Sequence, residues 1–173
     1  MKELYIIDGY NFLFNYYRAK EVSSEQVEFL RDELLSDLIQ YKNYSNCSMT
    51  VVFDAKHGNK FSQGSEVVDG LKIIYSKGGE TADSIVERIV HSNEKYDRIF
   101  VVTSDYLQQK VVFKENVYRK SIREFAVELV DFKKRITAKV SEQRVSNSHS
   151  FYSLENRLDR NTREKLDKIR KNI

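Results

Sequence analysis

The sequence predicts an α/β fold: three layers, α/β/α, around a mostly parallel central sheet of four to five strands, with a basic helical C-terminal tail. Two observations carry this. Short apolar runs alternate with longer segments whose apolar residues recur at steps of three and four. The short runs are apolar throughout, which marks strands covered on both faces, as parallel strands are. A chain of 173 residues is long enough to bury a proper core.

The first run, Leu4 to Ile7, reads as a buried strand that ends at Asp8 and Gly9. Residues 23–44 read as a helix, because Val27, Leu30, Leu34, Leu38 and Tyr41 share one face. Ser23 and Gln26 have the spacing of a capping box at its start. Residues 49–53 give a second strand, followed at once by Asp54. The polar stretch 55–69 reads as a loop, and 71–75 as a third strand closed by Lys77-Gly78-Gly79. A helix follows from near Glu80, with Ala82, Ile85, Val86, Ile89 and Val90 on its apolar face. Residues 98–102 form a fourth strand leading into Thr103-Ser104-Asp105, then a short helix around 105–113. Val117 and Tyr118 read as a brief fifth strand or an extended link. Ser121 and Glu124 match a second capping box, and Ile122, Phe125, Leu129, Phe132 and Ile136 mark a helix to about residue 140. The Ser-rich stretch 141–152 reads as a linker or mobile loop, and 153–171 as a charged helix with a sparse stripe of Leu154, Leu158, Leu166 and Ile169.

Composition narrows the function classes. Hydrophobic residues make up 40% and charged residues 32%, as in globular proteins rather than disordered or fibrous ones. No apolar run approaches a membrane span, and Asp8 interrupts the N-terminal apolar run too early for a signal peptide. With a single Cys47 there is no internal disulfide framework. These features point to the cytoplasm. His57, His91 and His149 lack metal-ligand spacing. The net charge of +3 hides an asymmetry: residues 1–132 hold 17 Lys+Arg against 21 Asp+Glu, net −4, and residues 133–173 hold 12 against 5, net +7. The tail is either a solvated helix or an electrostatic foot for a polyanion.

The chemistry lies in carboxylates. In open α/β sheets ligands sit beyond the carboxyl ends of the strands. Asp8, Asp54 and Asp105 each follow a strand, and Asp83 falls in the first turn of the helix after the third. All four are expected at one edge, where mutual repulsion calls for a hard cation such as Mg²⁺ or Mn²⁺. Each one taken singly also fits a turn former or helix cap. Glu87 shares a helix face with Asp83, as a further ligand or a surface charge. Asn11, three residues after Asp8 across Gly9, is placed to hold a carboxylate or a phosphate by folding back in a tight turn. Arg119 and Arg123 flank Ser121 at a helix start, which makes a phosphate cradle or a solvated helix end. Lys56, His57 and Lys60 offer contacts for a nucleic-acid backbone. Tyr10 either stacks on an unpaired base or packs in the turn.

The strings Ile7-Asp8-Gly9-Tyr10-Asn11-Phe12, Val52-Phe53-Asp54-Ala55, Glu80-Thr81-Ala82-Asp83 and Val102-Thr103-Ser104-Asp105, with Tyr118 to Leu129, resemble the YacP-like branch of the NYN domains in the PIN-like nuclease superfamily. The resemblance covers roughly residues 3–135. It implies a PIN-like α/β/α domain, placed at residues 1–140, and leaves residues 141–173 as a separate basic extension. It also implies a metal-dependent endoribonuclease. Asp8, Asp83 and Asp105 map onto the acidic metal site and Asn11 onto its accompanying Asn, with Asp54 as a further metal ligand. RNA is the implied substrate, mRNA at the ribosome in particular. The alternative from another class is a non-catalytic RNA- or ribosome-binding module with a structural acidic cluster. Haloacid-dehalogenase phosphatases and receiver domains are disfavoured, because position 10 is Tyr and only one acid follows the first strand.

Overall fold

The computed structural model describes residues 1–19, 22–54, 64–77, 79–92, 95–104 and 115–155, with side chains through residue 140. The elements run β1 (Glu3–Asp8), α1 (Gly9–Tyr16), α2 (Ser24–Ser45), β2 (Ser48–Phe53), β3 (Gly64–Val68), β4 (Leu71–Tyr75), α3 (Ala82–Ser92), β5 (Arg98–Val102), β6 (Val117–Lys120) and α4 (Ile122–Glu155). The chain divides into two units, Met1–Val130 and Asp131–Ile173.

In the first unit the strands form one sheet in the order β3-β4-β2-β1-β5-β6. All neighbours are parallel except the edge pair β3–β4. β1 lies between β2 and β5, so the chain order reverses beside it. That is the switch point at which open α/β sheets leave a crevice for ligands. Asp8 stands at the end of this strand.

Alternation along the strands builds two cores. On one face Leu4, Ile6, Val52, Ile99, Val101 and Val117 pack beneath Ala82, Ile85, Val86 and Val90 of α3. The other face is aromatic. Tyr5 stacks on Phe100 with ring centroids 4.9 Å apart and meets Phe125 of α4 at 5.6 Å. Phe12 of α1 and Tyr41 of α2 meet Phe125 edge-on. Lys120 lies over the Tyr5 and Phe100 rings and donates to both carboxylate oxygens of Glu128 at 2.9 Å. Tyr41 Oη donates to the same carboxylate at 3.3 Å. This half-buried network ties β6 to α2 and the start of α4.

Three differences from the sequence reading have local causes. Gly9 does not make a turn. Asp8 caps a helix there, accepting the Asn11 backbone N–H at 3.2 Å, and α1 runs on from Gly9. Glycine is needed at this position for space, because a Cβ would sit 2.5 Å from the Phe53 ring. Residues 64–68, expected within a loop, form the edge strand β3. It pairs with β4 through the two-residue turn Asp69-Gly70, both at positive φ as a tight hairpin requires. β3 escaped notice because Ser65 to Val68 are all exposed, so no burial pattern marks the strand. Finally, α4 continues through 141–152 to Glu155 instead of breaking into a linker. No Gly or Pro occurs from Ser121 to Ile173, so nothing in the sequence stops the helix. In the second unit this helix carries the bond from Thr137 Oγ1 to the Lys133 carbonyl at 2.9 Å. The short helix expected around 105–113 and the helix beyond Glu155 lie outside the described residues.

Candidate functional site

The site grows from Asp8. As the last residue of the central strand it is part-buried, and its backbone (φ −71°, ψ 104°) is extended, as an N-cap residue should be. Burial pushes its carboxyl up from 3.8 to about 6. The Asn11 backbone and side chain oppose the shift by donating to the carboxylate, whereas the carboxylates of Asp83 and Asp54 reinforce it. Asp83 arrives from the first turn of α3, where Thr81 caps the helix by accepting the Ser84 N–H at 3.2 Å. Asp54 arrives from the residue after β2, and Ser76, fully buried at the end of β4, donates to it from Oγ at 3.4 Å. Three strand or helix ends thus deliver carboxylates to one edge, with Asp54 and Asp83 each within electrostatic reach of Asp8.

Asn11 is held from two further directions. Its Oδ1 accepts from Ser104 Oγ at 2.7 Å and from Asn15 Nδ2 at 3.0 Å. With the oxygen so engaged, the amide N–H₂ is the end turned to Asp8. Ser104 follows β5, and Thr103 beside it is buried with its N–H on the Lys120 carbonyl. The route to position 105 is therefore anchored at the same edge, while Asp105 itself lies outside the described residues. Lys56, His57 and Lys60 lie outside them too. Glu87 is exposed, one turn further along α3 than Asp83.

Two expected substrate contacts need correction. Tyr10 is a core residue: 4% exposed, edge-on to Phe53 at 4.9 Å and stacked with Phe14 at 6.0 Å. Its ring has no free face for a base. The start of α4 is closed by its own capping box. Ser121 N–H donates to Glu124 Oε2 at 2.8 Å, and Glu124 N–H to Ser121 Oγ at 3.2 Å. Neighbouring Arg119 and Lys120 help hold the Glu124 carboxyl below its usual range, after the Ser121 bonds themselves. A carboxylate thus occupies the position where a phosphate cradle was expected, and the exposed Arg119 and Arg123 side chains are what remains to meet an anion. Sequence reading missed Ser76 and Asn15, both small polar residues whose roles depend on partners brought in by folding.

Among the described residues no three acidic, His or Cys side chains are close enough to hold a metal ion by themselves. The donor set nonetheless suits a hard divalent cation, since it consists of carboxylate oxygens, and Asp54 and Asp83 both act on the part-buried Asp8.

Known proteins share both the sequence and the architecture. The chain is 31% identical over 139 residues to YacP of Bacillus subtilis (strain 168), named as an uncharacterized protein, covering 80% of this chain and 81% of that one. The crystal structure of Rae1 (YacP) from Bacillus subtilis superposes with a TM-score of 0.72 at 27% identity, covering 99% of this chain and 95% of that one. A mutant form of the same Bacillus subtilis protein gives a TM-score of 0.69 at 28% identity, covering 98% of this chain and 99% of that one. A sequence model of the YacP-like NYN domain matches residues 5–171. With the match spanning both units, the chain belongs to the YacP-like NYN domain family.

Proposed function

We propose that this protein is a metal-dependent endoribonuclease, acting in the cytoplasm on RNA and specifically on mRNA at the ribosome. The observation that carries the reading is the convergence of Asp8, Asp54 and Asp83 at the C-terminal end of the switch-point strand, close enough for the latter two to raise the proton affinity of the first. Membership of a family within the PIN-like nucleases supports it.

Mg²⁺ or Mn²⁺ would be held by Asp8, Asp83 and Asp105, with Asp54 beside them, and when bound would supply an activated water and charge neutralisation at the phosphate. The chain's own part is positional. Asn11, fixed by Ser104 and Asn15, orients the Asp8 carboxylate. Ser76 does the same for Asp54. Arg119 and Arg123 place the RNA backbone, and phosphate contacts of this kind position the chain without reading its sequence.

The test is cleavage of a structured and an unstructured RNA with Mg²⁺ or Mn²⁺. Asp8→Asn and Asp105→Asn are expected to lose at least about a hundredfold in rate, the scale of losing preorganised charge at the reacting phosphate. Cutting by both variants at the parent rate would overturn the site assignment.

A further inference from the structure

α2 joins β1 and α1 to the parallel strand β2, so it must start at the C-terminal edge of the sheet, beside the carboxylates. Arg31 lies two turns into it. Its side chain is 20% exposed. Nε and Nη2 donate to Asp32 Oδ1 at 3.3 and 3.2 Å, which fixes the plane of the guanidinium. The Tyr10 and Tyr75 hydroxyls both lie within its electrostatic reach. Tyr10 follows Asp8 by two residues, and its hydroxyl in turn feels the Asp54 carboxylate. The rings of Tyr10 and Tyr75 both pack on Phe53, the residue before Asp54.

These contacts place a fixed cation on the aromatic face of the sheet, joined to the acidic site through Tyr10, Tyr75 and Phe53, whereas Asp83 comes from α3 on the opposite face. Of the five guanidinium N–H groups, Asp32 engages two, so the fork has donors beyond that pair to offer an oxyanion. An RNA strand approaching a body of net charge −4 needs such a partner at the point of closest approach. We propose that Arg31 is a phosphate-binding residue of the site, contacting the RNA backbone from the aromatic side of the sheet while Asp83 approaches from the other. This rests on the nuclease reading above.

The experiment pairs two readouts on one fluorescein-labelled single-stranded RNA. Anisotropy in EDTA, across a salt series, measures binding without cleavage, and initial rates with Mn²⁺ measure turnover. Arg31→Gln is expected to weaken binding and raise KM about tenfold, with kcat changed less than about threefold, and to lower the log–log salt slope by about one. Arg31→Lys should recover the slope and part of the affinity. Tyr10→Phe removes the hydroxyl partner alone and should keep the parental slope. An unchanged slope in Arg31→Gln overturns the proposal, as does an equal loss of affinity in Tyr10→Phe, which would make Arg31 a packing residue. Absence of cleavage by the parent protein would instead overturn the nuclease reading, and the anisotropy arm would still decide Arg31.

Discussion

Asp8 carries two duties that pull against each other. It caps α1, and it sits as a part-buried carboxylate among other carboxylates. Below pH 3.8 the group is protonated in both folded and unfolded chains. As pH rises from there, the unfolded chain gives up a proton that the folded chain retains until about pH 6. Stability in EDTA is therefore expected to fall across that window, by up to about 3 kcal/mol at about 1.4 kcal/mol per pH unit, and then to level off. Asp8→Asn keeps a good capping side chain and removes the charge. Its thermal midpoint in EDTA should exceed the parent's at pH 7 and approach it below pH 4. A variant less stable than the parent at pH 7 would show that the Asp8 charge is already compensated. The residue most useful to the proposed chemistry is thus one that the metal-free fold would be better without.

At the level of elements, the capping boxes were readable because they depend on residues three apart. Ser23–Gln26 and Ser121–Glu124 form as their spacing predicts, with both reciprocal bonds in place. The buried parallel strands were readable from their unbroken apolar runs. What escaped depends on partners distant in sequence. α1 was hidden because Gly9 and Asn11 read as turn formers, and only the Phe53 ring explains the glycine. Whether Tyr10 points to solvent or core was likewise undetermined until Phe53 and Arg31 were seen against it. Of the site, the placement of Asp8, Asp54 and Asp83 at one edge followed from strand ends alone, but Ser76, Asn15 and Arg31 did not. Ser121→Ala removes the hydroxyl that accepts the Glu124 N–H and leaves the backbone N–H to Glu124 Oε2, and is expected to cost about 1 kcal/mol in urea unfolding. A loss below a few tenths would mean that Glu124 is held by Arg119 and Lys120 instead.

Over the whole molecule, the near-neutral total conceals an acidic body and a basic end. α4 begins in the first unit with the Lys120–Glu128 pair beside it and continues into the second unit, where the excess of positive charge begins at Lys133. We infer that this excess grips RNA, since a body of net charge −4 gains little by itself from a polyanion. Removing residues 141–173 should weaken RNA binding and flatten its salt dependence, leaving the EDTA melting profile of the body close to that of the parent. An unchanged salt slope in the truncated protein would assign the grip to the body and to its arginines.

The contact between Gly9 and Phe53 has a genetic consequence. Every single-base change in a glycine codon that alters the residue yields an amino acid with a Cβ or a stop. None of these fits within 2.5 Å of an aromatic ring that is itself fully buried. The position next to the principal carboxylate therefore has no neighbouring genotype that preserves its geometry. In a saturation scan read by protein abundance, codon 9 should stand out as intolerant of all substitutions, Ala included. The first turn of α1 would then be held in place through inheritance as firmly as through packing.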